Sequence, residues 1–219
     1  MPILQKTPAP NLPVAAKAYD FRYTEQHNNV LRLFFNRLTN SLNALLGNAG
    51  GTNLNFPYCS VSSRVNQSTS GVYTPTKCAF EVVDCVDGGA TFDEVNDRVI
   101  VPANGIYNVQ FSIQFQNTDT KINDAYVGLR VNGSSDAGSP AYYTGSRFAV
   151  VNSHGGVNGY TIGACNFFLD LKEGDYIELW WSAESTPVTL HTEPRTTSPY
   201  VLPGVPSVVM TCAFVSSTT

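Results

Sequence analysis

Tyr107-Asn-Val-Gln-Phe111-Ser-Ile-Gln-Phe115 decides the fold. Its odd positions (Tyr107, Val109, Phe111, Ile113 and Phe115) are apolar, and the positions between them are polar. Successive side chains on a strand point to opposite faces, so this stretch predicts a β-strand with one face in a core and the other in water or against a partner. Similar short runs, bounded by Gly, Pro, Asn and Asp, lie on either side of it. They are Tyr58–Val65, Lys77–Val86, Arg98–Val101, Ala125–Asn132, Arg147–Val151, Tyr160–Leu171, Tyr176–Ser185 and Val208–Val215, with the central run extending over Gly105–Asn117. Many strands with no helix between them predict an all-β sandwich or jelly roll over residues 53–219. The Gly- and Ser-rich stretch Gly133–Gly159 and the stretch Thr186–Pro206 are expected to be surface loops.

The period changes upstream. Leu31, Phe35, Leu38, Leu42 and Leu45 recur at alternating steps of four and three, the a/d seam of a self-associating helix, and Ala49 continues it. Val30, Phe34 and Leu46 widen the apolar face. Thr24 is the expected N-cap, with Glu25 at the positive end of the helix dipole. Gly47, Asn48 and the Gly50–Gly51 pair supply the stop and a flexible joint. Residues 24–52 therefore read as a trimerisation or docking helix, the alternative being a helix packed on its own domain. In residues 1–23, Pro2, Pro8, Pro10 and Pro13 each fix φ and remove an N–H, which predicts an extended arm. Ile3, Leu4, Leu12, Val14 and Phe21 suit an arm laid along a partner's surface.

Composition narrows the function classes. Hydrophobic residues make up 42% of the 219-residue chain and charged residues only 14%. The usual charged share is roughly 25%, so much of this surface is hydroxyl and amide, as suits a β protein that packs against copies of itself. The net charge is −4, and the basic residues are scattered singly, so no nucleic-acid partner is expected. No apolar run is long enough for a membrane span, and the N-terminal stretch lacks the apolar core of a secretory signal. Cys59, Cys78, Cys85, Cys165 and Cys212 form no C-x-x-C pair and read as buried thiols on strands.

Four segments carry a resemblance to a known family. Arg98-Val-Ile-Val-Pro102-Ala-Asn-Gly105-Ile-Tyr107-Asn-Val-Gln-Phe111 is similar to the V-P-x-x-G-x-Y-x-F signature of the globular head of complement's first component and of the related tumour necrosis factor jelly rolls. Val127-Gly-Leu-Arg-Val-Asn132-Gly133 resembles the family strand that ends in Asn-Gly, and Leu169-Asp-Leu-Lys-Glu-Gly174-Asp175-Tyr-Ile-Glu-Leu179 its L-x-L-x-x-G-D element. Thr211-Cys-Ala-Phe214-Val resembles the closing strand. The resemblance spans Tyr58 to Val215 and implies a jelly roll that trimerises about a threefold axis, with Pro102, Gly105, Tyr107, Phe111, Asn132, Gly133, Gly174, Asp175 and Phe214 as structural signature residues. The family's collagen-like stalk is missing, and the apolar helix stands in its place. Arg32-Leu-Phe-Phe-Asn-Arg-Leu38 after a Pro-rich arm also resembles small structural proteins of tailed phages.

Nothing in the sequence reads as a reaction centre. His27, His154 and His191 are the only imidazoles, and no nucleophile-elbow, metalloprotease, P-loop or dinucleotide string occurs. No enzyme activity, cofactor or metal is expected. Asp84, Asp87, Asp93, Glu94 and Asp97 read as a solvated turn rather than a calcium loop. Trp180 and Trp181 should point to opposite faces of one strand. Tyr142, Tyr143, His154 and Trp181 are the candidates for an exposed recognition surface. The function expected is a homotrimeric tail-fibre or receptor-binding component on the virion, held to other virion proteins through residues 1–46 and able to meet a host glycan or protein. A capsid decoration protein is the alternative, with a soluble lectin or cytokine-like ligand further off and a cupin-type enzyme disfavoured by the lack of a His/Glu metal cluster.

Overall fold

A computed structural model of the chain describes residues 8–14, 18–46, 56–133 and 142–217, with the side chains of residue 46 and residues 142–144 outside that description. The chain divides into two compact units, Met1–Asn55 and Phe56–Thr219. In the first, residues 8–14 form neither helix nor strand, as their prolines dictate. The remaining apolar arm positions Ile3 and Leu4, and the expected joint at Gly47–Gly51, lie outside the described residues.

Helix α1 spans Phe21–Leu46. It begins earlier than the Thr24 cap predicts, because Asp20 is the better cap. The Asp20 carboxylate accepts the Arg22 amide at 2.9 Å and its carbonyl accepts the Thr24 amide at 3.1 Å. Thr24 instead sits inside the first turn, its hydroxyl donating back to the Asp20 carbonyl, and Glu25 falls beyond that turn. Asp at the N-cap satisfies one of the free amides of the helix start.

The second unit is all β, with antiparallel pairing throughout. Its strands are β1 (Tyr58–Ser63), β2 (Gln67–Ser68), β3 (Thr76–Lys77), β4 (Val82–Asp87), β5 (Thr91–Asp93), β6 (Arg98–Ile100), β7 (Gly105–Asn117), β8 (Asn123–Val131), β9 (Tyr142–Val150), β10 (Gly159–Leu171), β11 (Tyr176–Ala183), β12 (Val188–Leu190) and β13 (Val208–Ser216). A seven-stranded sheet runs β2-β12-β7-β13-β1-β4 with β10 on the other edge of β7, and a six-stranded sheet runs β5-β6-β11-β8-β9 with β3 beside β11. The odd residues of β7 are buried, as the alternation predicts, and they share one core with Val61, Met210, Leu129, Ile177 and Leu179. Phe115 of the first sheet lies 6.2 Å, centroid to centroid, from Trp181 of the second, so the inner faces of the two sheets meet there.

Trp181 is therefore a correction: it is 1% exposed and belongs to the core, not to a recognition surface. It shares the parity of Ile177 and Leu179 on β11, both fully buried, and the period of two carries it inward with them. Its neighbour Trp180 faces outward. The predicted strand Lys77–Val86 is also interrupted. Between β3 and β4 the chain leaves the sheet, and side chains replace the missing ladder: the Gln67 amide oxygen accepts the Ala79 N–H at 2.9 Å and Asp97 accepts the Phe80 N–H at 2.8 Å. Within the loop expected over Thr186–Pro206, β12 pairs with β7, and bridges join Glu193 to Val205 and Thr196 to Leu202.

Tyr107, Asn132 and Asp175 meet in one hydrogen-bonded corner, while Phe111 lies in the core, stacked on Phe167 at 6.2 Å. The Tyr107 hydroxyl donates to the Ala103 carbonyl at 2.9 Å, and Asn104 accepts the Glu173 amide at 2.8 Å. Asn132, at φ 55°, donates to Asp175 at 2.8 Å and accepts the Tyr176 amide at 3.1 Å. The second oxygen of Asp175 accepts the Lys172 amide at 2.8 Å, closing the turn around Gly174. Gly105 is required by close approach: a Cβ there would lie 2.5 Å from the Phe214 ring and from the Ser216 carbonyl oxygen. Phe214 in turn packs edge-on to Tyr107 at 5.4 Å.

Candidate interaction faces

The two sheets present outer faces of different chemistry. On the seven-stranded sheet, β10 turns Tyr160, Ile162, Ala164, Asn166 and Phe168 outward, and Ile162 and Phe168 are 63% and 64% exposed. The register carries this face across the sheet. Asn166 lies beside Gln110, Gln110 beside Thr211, Thr211 beside Ser60 and Ser60 beside Cys85. The next row runs Ala164, Ser112, Val209, Ser62. Neither row contains a charged residue. A shallow trough of about 470 Å³ lies between them, lined by Gln110, Ser112, Ala164, Asn166, Val209 and Thr211 together with the edges of Phe111 and Cys165. Alongside, the amide oxygen of Asn108 is shielded from solvent with no donor among the described residues. Charges flank the rows: Asp170 at the end of β10, Asp84 and Asp87 on the edge strand β4, and Arg64, Asp84, Glu193 and Arg195, which share a neighbouring cavity with Ser62 and Val209.

The six-stranded sheet is the reverse. Its outer face is laced with ion pairs, Lys77 to Glu178 at 3.5 Å, Arg98 to Asp93 at 2.8 Å, and Arg147 to Asp124. Arg98 also covers the Tyr176 ring at 4.4 Å and Arg130 the Trp180 ring at 3.7 Å. Partly exposed pairs of this kind add little stability but keep a surface wetted. Hydrogen bonds from the Asn96 side chain and backbone, and the Arg98 guanidinium, hold the Asp93 carboxyl below the usual carboxylate range.

The remaining candidates are placed as follows. His154 is exposed on a tight turn with Gly155 and Gly156 at φ 60° and 80°, bridged to Val157. The backbones of Tyr142 and Tyr143 pair with Arg130 and Leu129; their side chains lie outside the described residues. On α1, Leu31, Phe34, Leu38 and Leu45 are half-buried, while Phe35 and Leu42 are 56% and 46% exposed.

His191 pairs with Glu193 at 2.7 Å, and His27 stacks on Tyr23. Among the described residues, no group of three or more His, Cys, Asp or Glu is placed to hold a metal ion. Burial pushes the Cys59 thiol up to about 11 and the Cys212 thiol up to about 12, and drives Cys78 higher still, so all three stay protonated and poorly nucleophilic. Cys85 departs from the buried-thiol expectation, since the edge position of β4 leaves it exposed. The acidic turn is self-satisfied: Asp93 accepts from Asn96 and Arg98, and Asp97 from Phe80.

No family model and no curated protein matches the chain. The functional reading therefore rests on the two faces and the helix. No helix among the described residues is long and apolar enough to cross a membrane.

Proposed function

We propose that the chain is a non-enzymatic structural protein of a tailed-phage virion. Its jelly-roll head packs as a homotrimer through the outer face of the seven-stranded sheet, and residues 1–46 dock it to other virion proteins as a tail-fibre or receptor-binding component. The observation that carries this is the uncharged face itself. In a chain with charged residues at 14%, two adjoining uncharged rows that run from β10 through β7 and β13 to β1, edged by Ile162 and Phe168 at more than half exposure, are the composition of a buried interface. Burying each such side chain is worth about 1.5–3 kcal/mol.

The jelly-roll type is supported by strand order. Without β2, β3, β4, β5 and β12 the sheets run β1-β13-β7-β10 and β6-β11-β8-β9. Numbered along the chain, these eight run first-eighth-third-sixth and second-seventh-fourth-fifth, which is the order of two interlocked Greek keys. The family resemblance supplies the trimer, and the exposed Phe35 and Leu42 on α1 suit a helix that docks or bundles. The arm with Arg32–Leu38 is what suggests a virion.

Deleting residues 1–46 tests the anchoring half of this reading. The head has its own core, so it is expected to stay folded and to be lost from purified particles, while the full chain co-purifies with them. A truncated chain that still co-purifies in full amount contradicts the reading. Copies per particle then separate a fibre, present in a few dozen chains, from a decoration protein, present in hundreds.

A further inference from the structure

The outer face of the six-stranded sheet carries a groove of about 370 Å³ whose walls include Tyr126, Arg130, Arg147, Trp180 and Ser182. It opens where the β8–β9 ladder slips between Val127 and Leu129. Gly128 and Gly145 both line it, and a Cβ on Gly145 would lie 1.1 Å from the Val127 carbonyl oxygen. No side chain can stand there, so the groove is floored by backbone and walled by aromatic rings. Strand irregularities of this kind commonly sit beside binding sites.

The cations around the groove, Lys77, Arg130 and Arg147, are matched in number by the carboxylates Asp124, Glu178 and Glu184, and Arg130 is set apart by its pairing. Asp124 is taken by Arg147. Glu178 is taken by Lys77 at 3.5 Å and by the Trp180 indole N–H at 3.2 Å. Glu184 accepts the Asp124 amide at 3.0 Å. Arg130 has no carboxylate partner among the described residues. Its guanidinium carbon lies over the Trp180 ring, 3.7 Å from the centroid, and its Nε is shielded from solvent with no acceptor among the described residues. The shielded Nε is closed to a ligand, so an incoming carboxylate meets the terminal nitrogens of the guanidinium, a planar fork that it matches with two bonds.

We propose that this groove binds a carboxylate-bearing saccharide, a uronic acid unit of a surface polysaccharide. The carboxylate sits on Arg130, the apolar face of the sugar lies against the aromatic wall, and its hydroxyls meet Ser182 and the backbone at Gly145 and Ser146, whose own hydroxyl is turned inward onto Cys165 at 2.8 Å. The alternation of rings and hydroxyls in the lining suits a sugar, whose C–H face is apolar and whose rim is polar. This names a ligand for the receptor-binding reading above and rests on that reading for its biological setting. The groove lies on the opposite sheet from the proposed trimer face, so the two can fail separately.

Titrating the full chain with sodium glucuronate, followed by the side-chain N–H resonances of Arg130 and Trp180, tests it. Both resonances are expected to shift saturably with glucuronate and not with glucose. Acetate, with the charge but no ring, is expected to bind about tenfold more weakly or worse, for want of the sugar contacts. Arg130→Met is expected to weaken glucuronate by about tenfold or more, and Arg130→Lys to restore part of it. The wild-type resonances serve alone if Arg130→Met does not fold. The proposal is overturned if glucuronate gives no saturable shift, if acetate matches it, or if Arg130→Met binds as the wild type does. A monomer that binds glucuronate counts against the trimer alone, and a trimer that does not counts against the groove alone.

Discussion

Trp181→Ala is expected to cost the head about 3–5 kcal/mol, the range for removing a large buried aromatic. Trp181 is among the largest fully buried side chains, and it stacks obliquely on Phe115 at 6.2 Å where the two sheets meet. A domain has only about 5–15 kcal/mol in all, so this one change removes a large share of the fold's stability. Trp181→Phe should cost much less. The indole N–H is buried with no acceptor among the described residues, so the smaller ring gives up packing without giving up a hydrogen bond seen there. Urea midpoints of the two variants at unchanged slope check the ordering. A loss under about 1 kcal/mol for Trp181→Ala would put the side chain at the surface, where the strand's parity says it is not.

Placing charge on the uncharged face is expected to abolish self-association of the head. Ile162→Asp with Phe168→Asp puts two carboxylates where the proposed trimer excludes water. Leaving a buried charge unpaired costs about 3–5 kcal/mol per site, and every 1.4 kcal/mol is about tenfold in affinity. Both side chains are more than half exposed in the single chain, so the folded monomer should tolerate the change. The measurement belongs on residues 47–219, where α1 cannot hold the copies together. Val95→Asp is the control: Val95 is 89% exposed on the turn after β5, and a carboxylate there is expected to leave the assembly intact. If the double variant sediments as the wild-type head does, this face is not the interface.

How far these features were legible in the sequence depended on whether their causes are local. The alternation in β7 and the Asn132-Gly133 and Gly174-Asp175 turns were readable, because a period of two and a positive φ are properties of neighbouring residues. Helix α1 starts after Asp20 rather than at the Thr24 cap that the sequence suggests, and Asp is the stronger N-cap. The direction of Trp181 was available too, in the shared parity of Ile177 and Leu179 on the same strand. The break at residues 78–81 was not, since it depends on Gln67 and Asp97 reaching across to the backbone. The neutral face escaped for the same reason. Its rows join strands far apart in sequence, and only the register of β10, β7, β13, β1 and β4 brings Asn166, Gln110, Thr211, Ser60 and Cys85 into line. The pairing of Arg130 with Trp180 likewise needs β8 and β11 to be neighbours.

Native mass measurement of the full chain at micromolar concentration and physiological salt tests threefold self-packing most directly. A single species with the mass of three 23.8 kDa chains is the predicted result. A species at the mass of one chain would contradict it, and would leave the uncharged face and the apolar stripe of α1 without the partner assigned to them.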